Sequence, residues 1–204
     1  SECKECVRIC KAGAISHEIE DRVENIDVGA IIVANGYDVF DAKIKSEYGF
    51  GRYRNVVTGI QFERILSASG PYEGHLLRPS DKKVPSKIAW IQCVGSRDVT
   101  VGNDYCSSVC CMYAIKQTII AREHENHLDT TVFYIDMRAF GKGFESFLNR
   151  AKNNYGTKFI RSQISSLKDN PENDNIIVTY IDENNLFTEA EFDMIVLSVG
   201  ICAN

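Results

Sequence analysis

The sequence predicts an α/β protein organised on a parallel sheet, and three observations carry that prediction. Between Lys87 and Arg161, short β-branched or aromatic runs alternate with helix-length segments, the pattern of strands joined by helical crossovers. Two further runs, Ile26–Ala34 and Asp193–Val199, are apolar almost without interruption and lead into glycine, as strands covered on both faces do. Finally, 204 residues at 44% hydrophobic and 25% charged hold enough apolar material for one or two cores.

The balance of charge narrows the function classes. A net charge of −5, with no lysine or arginine run, excludes a general nucleic-acid binder. No apolar stretch approaches the roughly 18 residues of a membrane span. Eight cysteines without a signal peptide point to metal or redox chemistry in the cytoplasm rather than to a disulfide framework.

Taken in order, the chain opens with Cys3, Cys6 and Cys10. Their spacing fits the last three positions of the bacterial ferredoxin run C-x2-C-x2-C-x3-C-P, with Lys11 where proline is usual. The first cysteine of such a run would precede Ser1, so the expectation is a piece of a longer protein begun inside a motif, with no intact cluster at this end. An exposed cysteine-bearing tail is the alternative. Residues 1–25 are read as the remnant of a ferredoxin-like insert.

Ile26–Ala34 is expected to be a buried parallel strand, ending at Asn35-Gly36, where glycine lets the backbone approach a ligand closely. Residues 41–85 read as loops around a short amphipathic helix, Gly59–Leu66. Pro79, Pro85 and the charges at Asp81, Lys82 and Lys83 place a domain boundary near residue 85.

Beyond it the expected order is strand 87–93, helix 107–123, strand 131–136, helix 143–154 and strand 158–161, then strands near 176–181 and 193–198. Asp182–Asn185 turns a hairpin into Leu186–Glu189. The second glycine-ended run repeats the plan of the first and closes at Gly200.

Four cysteines gather where strand 87–93 feeds its helix: Cys93, Cys106, Cys110 and Cys111. Thiolates at a strand's carboxyl end and a helix start form a soft site that favours iron–sulfur clusters or zinc over hard cations. If the helix begins at Ser107, Cys106 and Cys110 share a face and Cys111 is turned away. Buried inert thiols are the plain alternative. Zinc is another, though vicinal Cys110-Cys111 does not match paired Cys-x2-Cys knuckles. A thiol–disulfide pair is a third, weakened because the sole Cys-x-x-Cys, Cys3 to Cys6, lies in the ferredoxin-like segment.

A dinucleotide site would need G-x-G-x-x-G after the first strand of this unit; the turn reads Cys93-Val94-Gly95-Ser96-Arg97-Asp98 instead. The fold is thus expected to be Rossmann-like without NAD(P) binding. Arg138–Gly143 is a second basic, glycine-containing turn.

These segments in series (Val28–Tyr37, Ser67–Pro71, Arg78–Asp81, Ile91–Asp98, Tyr105–Ala114 and Arg138–Glu145) resemble the A subunit of heterodisulfide reductases, flavin and iron–sulfur proteins of methanogens and other anaerobes. The resemblance implies a thioredoxin-reductase-like body of the pyridine nucleotide–disulfide oxidoreductase type that binds FAD and passes electrons among [4Fe-4S] clusters, with flavin-based bifurcation. It assigns residues 26–85 to the FAD-binding domain and 86–204 to a degenerate NAD(P)-binding-like domain. It puts one cluster on Cys93, Cys106, Cys110 and Cys111, further ligands at Cys3, Cys6 and Cys10, and flavin contacts at Asn35, Gly36, Lys116 and Gly200. The implied partners are other heterodisulfide reductase subunits, a hydrogenase or formate dehydrogenase donor, and ferredoxin. The chain by itself would be inactive, and the rival reading is a zinc-stapled docking module.

Overall fold

The computed structural model describes residues 3–202, and the chain divides after Asn35 into two units. In the first, α1 (Glu5–Ile9) is a single turn and a half, held at its surface by a Glu5–Arg8 ion pair. Among the described residues here only Val7 and Cys10 are even half-buried.

The strand expected over Ile26–Ala34 does not form. Ile31, Ile32 and Val33 are 80%, 92% and 77% exposed, and no described strand forms a ladder with this run. A strand covered on both faces exists only beside partners, and its composition cannot supply them.

The second unit carries β1 (Asp38–Val39), β2 (Val56–Thr58), α2 (Gly59–Leu66), β3 (Lys87–Val94), α3 (Cys110–His124), β4 (Asp129–Tyr134), α4 (Phe144–Asn153), β5 (Lys158–Arg161), β6 (Leu167–Asn170), β7 (Asn175–Ile181), β8 (Phe187–Phe192), β9 (Met194–Val199) and β10 (Ile201–Cys202). Five of these strands make one parallel sheet in the order β2-β9-β3-β4-β5. From β3 outward the chain steps to β4 and β5 through α3 and α4, then returns to the other flank of β3 with β9. This is the 3-2-1-4 order of a doubly wound sheet, with its switch point between β3 and β9.

Alternation along the strands sorts the core. Ile88, Trp90, Met194 and Val196 face a layer of helices, packing on Phe62 and Ile65 of α2 and Ala114 and Ala121 of α3. Ala89, Ile91, Ile195 and Leu197 face the opposite way, onto Ile176, Val178 and Phe192 of an antiparallel sheet, β6-β7-β8. A period of two is what a pleated strand requires when both faces are buried. Trp90 meets Phe62 edge-on at 5.3 Å between ring centres, and its indole N–H donates to Gln117 Oε1 at 2.9 Å. Gln117 in turn donates to the Gly59 carbonyl, tying α3 to the start of α2.

Most expected elements form within a residue or two of their bounds. Helix α2 matches its expected span, fixed by a capping box between Thr58 and Gln61. Two differences matter. Strand β6, Leu167-Lys168-Asp169-Asn170, has no apolar alternation to announce it and exists as the edge partner of β7. Helix α3 begins at Cys110 rather than Ser107, because Ser108 adopts a left-handed backbone (φ 62°) that an α-helix cannot contain.

Candidate metal centre

The late start of α3 changes the expected geometry of the cysteines. Cys106 is not one turn below Cys110 on a helix face; it lies in the loop, two residues before the bend at Ser108. Cys93 sits at the carboxyl end of β3, where the register with β9 slips between Ile91 and Val94 and Cys93 itself is left-handed (φ 62°). Cys110 and Cys111 occupy the first turn of α3. A strand end, a loop and a helix start thus supply four thiols to the carboxyl edge of the parallel sheet.

The surroundings of each sulfur are specific. Cys106 Sγ accepts the Ser108 N–H at 3.3 Å and Cys111 Sγ the Arg138 N–H at 3.5 Å. As thiols, Cys110 donates to the Val199 carbonyl at 3.6 Å and Cys111 to the Asp136 carbonyl at 3.7 Å. The carboxyl ends of β9 and β4 therefore bracket the helix start. Val109 provides no side-chain cap, so the first N–H groups of α3, beside Cys110 and Cys111, have no capping side chain as partner.

Burial pushes the Cys93 thiol up to about 11 and the Cys110 thiol up to about 12, and raises Cys111 as well. Charge on one thiol opposes charge on the others: Cys93 feels Cys111 and Cys106, and Cys110 feels the other three. Such a site holds neutral thiols unless a cation compensates, and binding a metal there expels protons.

No group of three or more His, Cys, Asp or Glu side chains among the described residues is gathered closely enough to hold a single metal ion. A tetrahedral mononuclear site needs sulfurs roughly 4 Å apart given ~2.3 Å bonds, whereas a cubane spreads its ligand sulfurs over roughly 6–7 Å. The four cysteines are soft donors that do not converge on one point, and two of their sulfurs accept backbone N–H groups.

Gly200 holds the loops together. A Cβ there would come within 2.8 Å of Ser96 Cβ, 2.9 Å of Ser107 Oγ and 3.0 Å of the Gly95 carbonyl. The hydroxyls of Ser96 and Ser107 lie 3.1 Å apart and Ser107 accepts the Ile201 N–H, locking the Cys93 and Cys106 loops onto the end of β9.

The remaining expected residues are dispersed. Lys116 is half-exposed and paired with Glu63 of α2 at 3.1 Å. A cavity of ≈320 Å³ lies alongside, walled by Tyr37, Val39, Ile60, Glu63, Tyr113 and Ile201. Gly36 is left-handed (φ 81°) in open space, and Asn35 closes the first unit. Cys3 and Cys6 are exposed and Cys10 half-buried; Cys6 Sγ contacts His17 Nε2 at 3.3 Å, a pairing that spacing did not foretell.

Three participants escaped the sequence reading. Tyr113 is partly buried one turn past Cys110 and donates its hydroxyl to the Val199 carbonyl at 2.9 Å; desolvation holds its own proton on well above the usual range. Arg97 and Asp136 form an ion pair at 2.6 Å. Arg97 was visible inside the turn and Asp136 at the end of an expected strand, but only the adjacency of β3 and β4 joins them.

No protein-family model matches the chain. It is 45% identical over 203 residues to the A subunit of the H2:CoB-CoM heterodisulfide,ferredoxin reductase of Methanothermobacter thermautotrophicus, covering 98% of this chain and 30% of that one. The chain is a relative of heterodisulfide reductase A subunits. The iron-sulfur A subunit of the CoB–CoM heterodisulfide reductase of Methanocaldococcus jannaschii is 43% identical over 202 residues, at 98% and 30% coverage. The A subunit of the H2/formate:CoB-CoM heterodisulfide,ferredoxin reductase of Methanococcus maripaludis is 44% identical over 191 residues, at 93% and 29%. The chain therefore spans about 30% of the length of these curated relatives. Among solved structures, LpdA of Mycobacterium tuberculosis aligns at 16% identity over 67% of this chain and 26% of that one, with a TM-score of 0.32, too slight a likeness to bear on function.

Proposed function

We propose that this chain is an electron-transfer segment of a heterodisulfide reductase A subunit, holding a [4Fe-4S] cluster on Cys93, Cys106, Cys110 and Cys111. The observation that carries the reading is that three separate elements bring these four cysteines to the carboxyl edge of the sheet, near enough for charge on one thiol to bear on the others. A cluster bound there would store and release single electrons.

The chain's own groups have definable parts in this. The N–H groups of Ser108 and Arg138 donate to sulfur, which favours the more negative reduced state. Residues Trp90, Ala114 and Val199 keep the helix start and strand ends in place beneath the thiols. Tyr113, touching both Val199 and the cavity, lies between the cluster site and that cavity. We assign the cavity to the edge of FAD, with Lys116 displaced from Glu63 to face it; an isoalloxazine suits an apolar slot of this size. Cys3, Cys6 and Cys10 would ligate a further cluster. Ferredoxin and hydrogen- or formate-linked donors, named for the relatives, are the partners proposed for the whole protein.

Anaerobic purification of the chain with Cys3, Cys6 and Cys10 replaced by serine tests the reading. The expected result is brown protein with about four irons and four sulfides per chain, lost on Cys110→Ser. Colourless protein carrying one zinc would support the docking-module alternative instead.

A further inference from the structure

The turn after β3 and the turn after β4 meet through charge. Arg97, left-handed at φ 57°, donates its backbone N–H to the Tyr105 carbonyl at 2.8 Å, which fixes the loop between Cys93 and Cys106. Its side chain lines the same cavity as Cys93, and its positive charge favours the thiolate forms of Cys93 and Cys111. The same guanidinium holds Asp136 Oδ2 at 2.6 Å, and Arg138 comes within 3.8 Å of that oxygen. Lys45, the other cation lining the cavity that Cys93 and Arg97 share, is already balanced by Glu47 at 2.8 Å and Asp98 at 2.9 Å.

We infer that Arg97 and Asp136 act as a charge pair that sets how readily the thiolate centre accepts an electron: Arg97 favours reduction and Asp136 moderates it. The inference rests on the cluster reading above. Reduction by one electron adds one negative charge to a site already ringed by thiolates, so a cation beside it is a strong lever; Arg138 bears on Cys111 as well, and Arg97 is the one placed in the Cys93–Cys106 turn. Arg97 lies in the turn between Cys93 and Cys106, and its partner Asp136 takes the Cys111 thiol on its backbone carbonyl. Asp136 touches the cysteines through its backbone carbonyl, at Cys111, and directs its carboxylate to the arginines. In a dinucleotide-binding domain an acidic residue near this sheet edge holds a ribose hydroxyl; here that capacity is spent on Arg97.

A strut that merely fastened the two turns would give the same sign of effect from either end. A charge pair gives opposite signs, and that separates the two. The experiment is an EPR-monitored redox titration of the complete protein, loaded anaerobically, in wild type, Arg97→Gln, Arg97→Lys and Asp136→Asn. Arg97→Gln is expected to make reduction about tenfold less favourable, which for a one-electron couple is about 59 mV more negative. Asp136→Asn is expected to shift several-fold in the opposite direction, and Arg97→Lys to stay near wild type. If Arg97→Gln fails to retain the cluster, the opposed behaviour of Asp136→Asn against an unshifted Arg97→Lys decides. Potentials that move in the same direction, or do not move while iron content is intact, overturn the inference and leave the cluster reading standing. Absence of a cluster on these cysteines in the wild type overturns both.

Discussion

Two stretches of this chain are written to one plan and fold to different ends. Ile26–Gly36 and Phe192–Gly200 each run through continuous aliphatic residues into a glycine. The second becomes β9, in parallel register with Val56–Thr58 on one side and Ile88–Ile91 on the other, and every residue of it is buried. The first remains irregular, with Ile32 92% exposed. What differs is company. β9 enters a slot between two strands and two apolar layers, so each backbone group and each methyl finds a counterpart; Ile26–Ala34 has none among the described residues. An apolar run is a request for burial, and the tertiary surroundings decide whether it is met.

The largest expected effect turns that contrast into one substitution made twice. Ile195→Ala removes a fully buried side chain between the parallel sheet and the antiparallel one, and should cost about 2–5 kcal/mol. Ile32→Ala, the same chemistry on the unpartnered run, should stay within about 0.5 kcal/mol. Urea titration of both variants reads the difference directly. Should Ile32→Ala prove as costly as Ile195→Ala, the first run is buried in solution and the contrast fails.

The glycines that end the two runs give a smaller and more local comparison. At Gly200 a methyl group collides with Ser96, Ser107 and the Gly95 carbonyl, so Gly200→Ala should cost about 1–3 kcal/mol and disturb the loops bearing Cys93 and Cys106. At Gly36 nothing lies within reach of a Cβ, and the penalty is the left-handed backbone alone, about 1 kcal/mol. Thermal melts of the two variants, read beside the thiol reactivity of Cys106, should show reactivity rising only in the first.

How much of this was legible beforehand follows the same division. The α/β class and the bounds of β5 and α2 could be read from the sequence because alternation and capping are local properties, as Thr58 and Gln61 show. The cysteine quartet was legible as a cluster of residue types, yet its geometry was not. The left-handed bend at Ser108, which detaches Cys106 from α3, arises where the chain must pass from the Ser96–Ser107 hydroxyl contact into the helix, and no spacing rule carries that. The Arg97–Asp136 pair depends on β3 and β4 being neighbours over Lys87–Ile91, a fact of register separated by some forty positions of chain. Charged β6 is visible only to its partner β7.

The smallest effect, and the one that probes the carboxyl end of β9 most closely, is in pH. In the metal-free protein Cys93 and Cys110 bind their protons more tightly folded than unfolded: burial raises them from the usual 9.0 to about 11 and about 12. An acid whose folded pKa is raised lends stability in its neutral form. That stability is complete below pH 9 and is lost as pH climbs through 9 toward 12, because the unfolded chain releases the protons first. Partial exposure of Cys93 reduces its share, so the loss by pH 10 should be about 1–2 kcal/mol for the pair. Comparing urea midpoints at pH 7 and pH 10 for the metal-free chain and its Cys93→Ser, Cys110→Ser double variant isolates it. The double variant should lose less stability across that interval than the parent. Equal losses would mean that the thiols are as well solvated folded as unfolded, and that the strand end they border is open to water in a way its fully buried neighbours Leu197 and Ser198 are not.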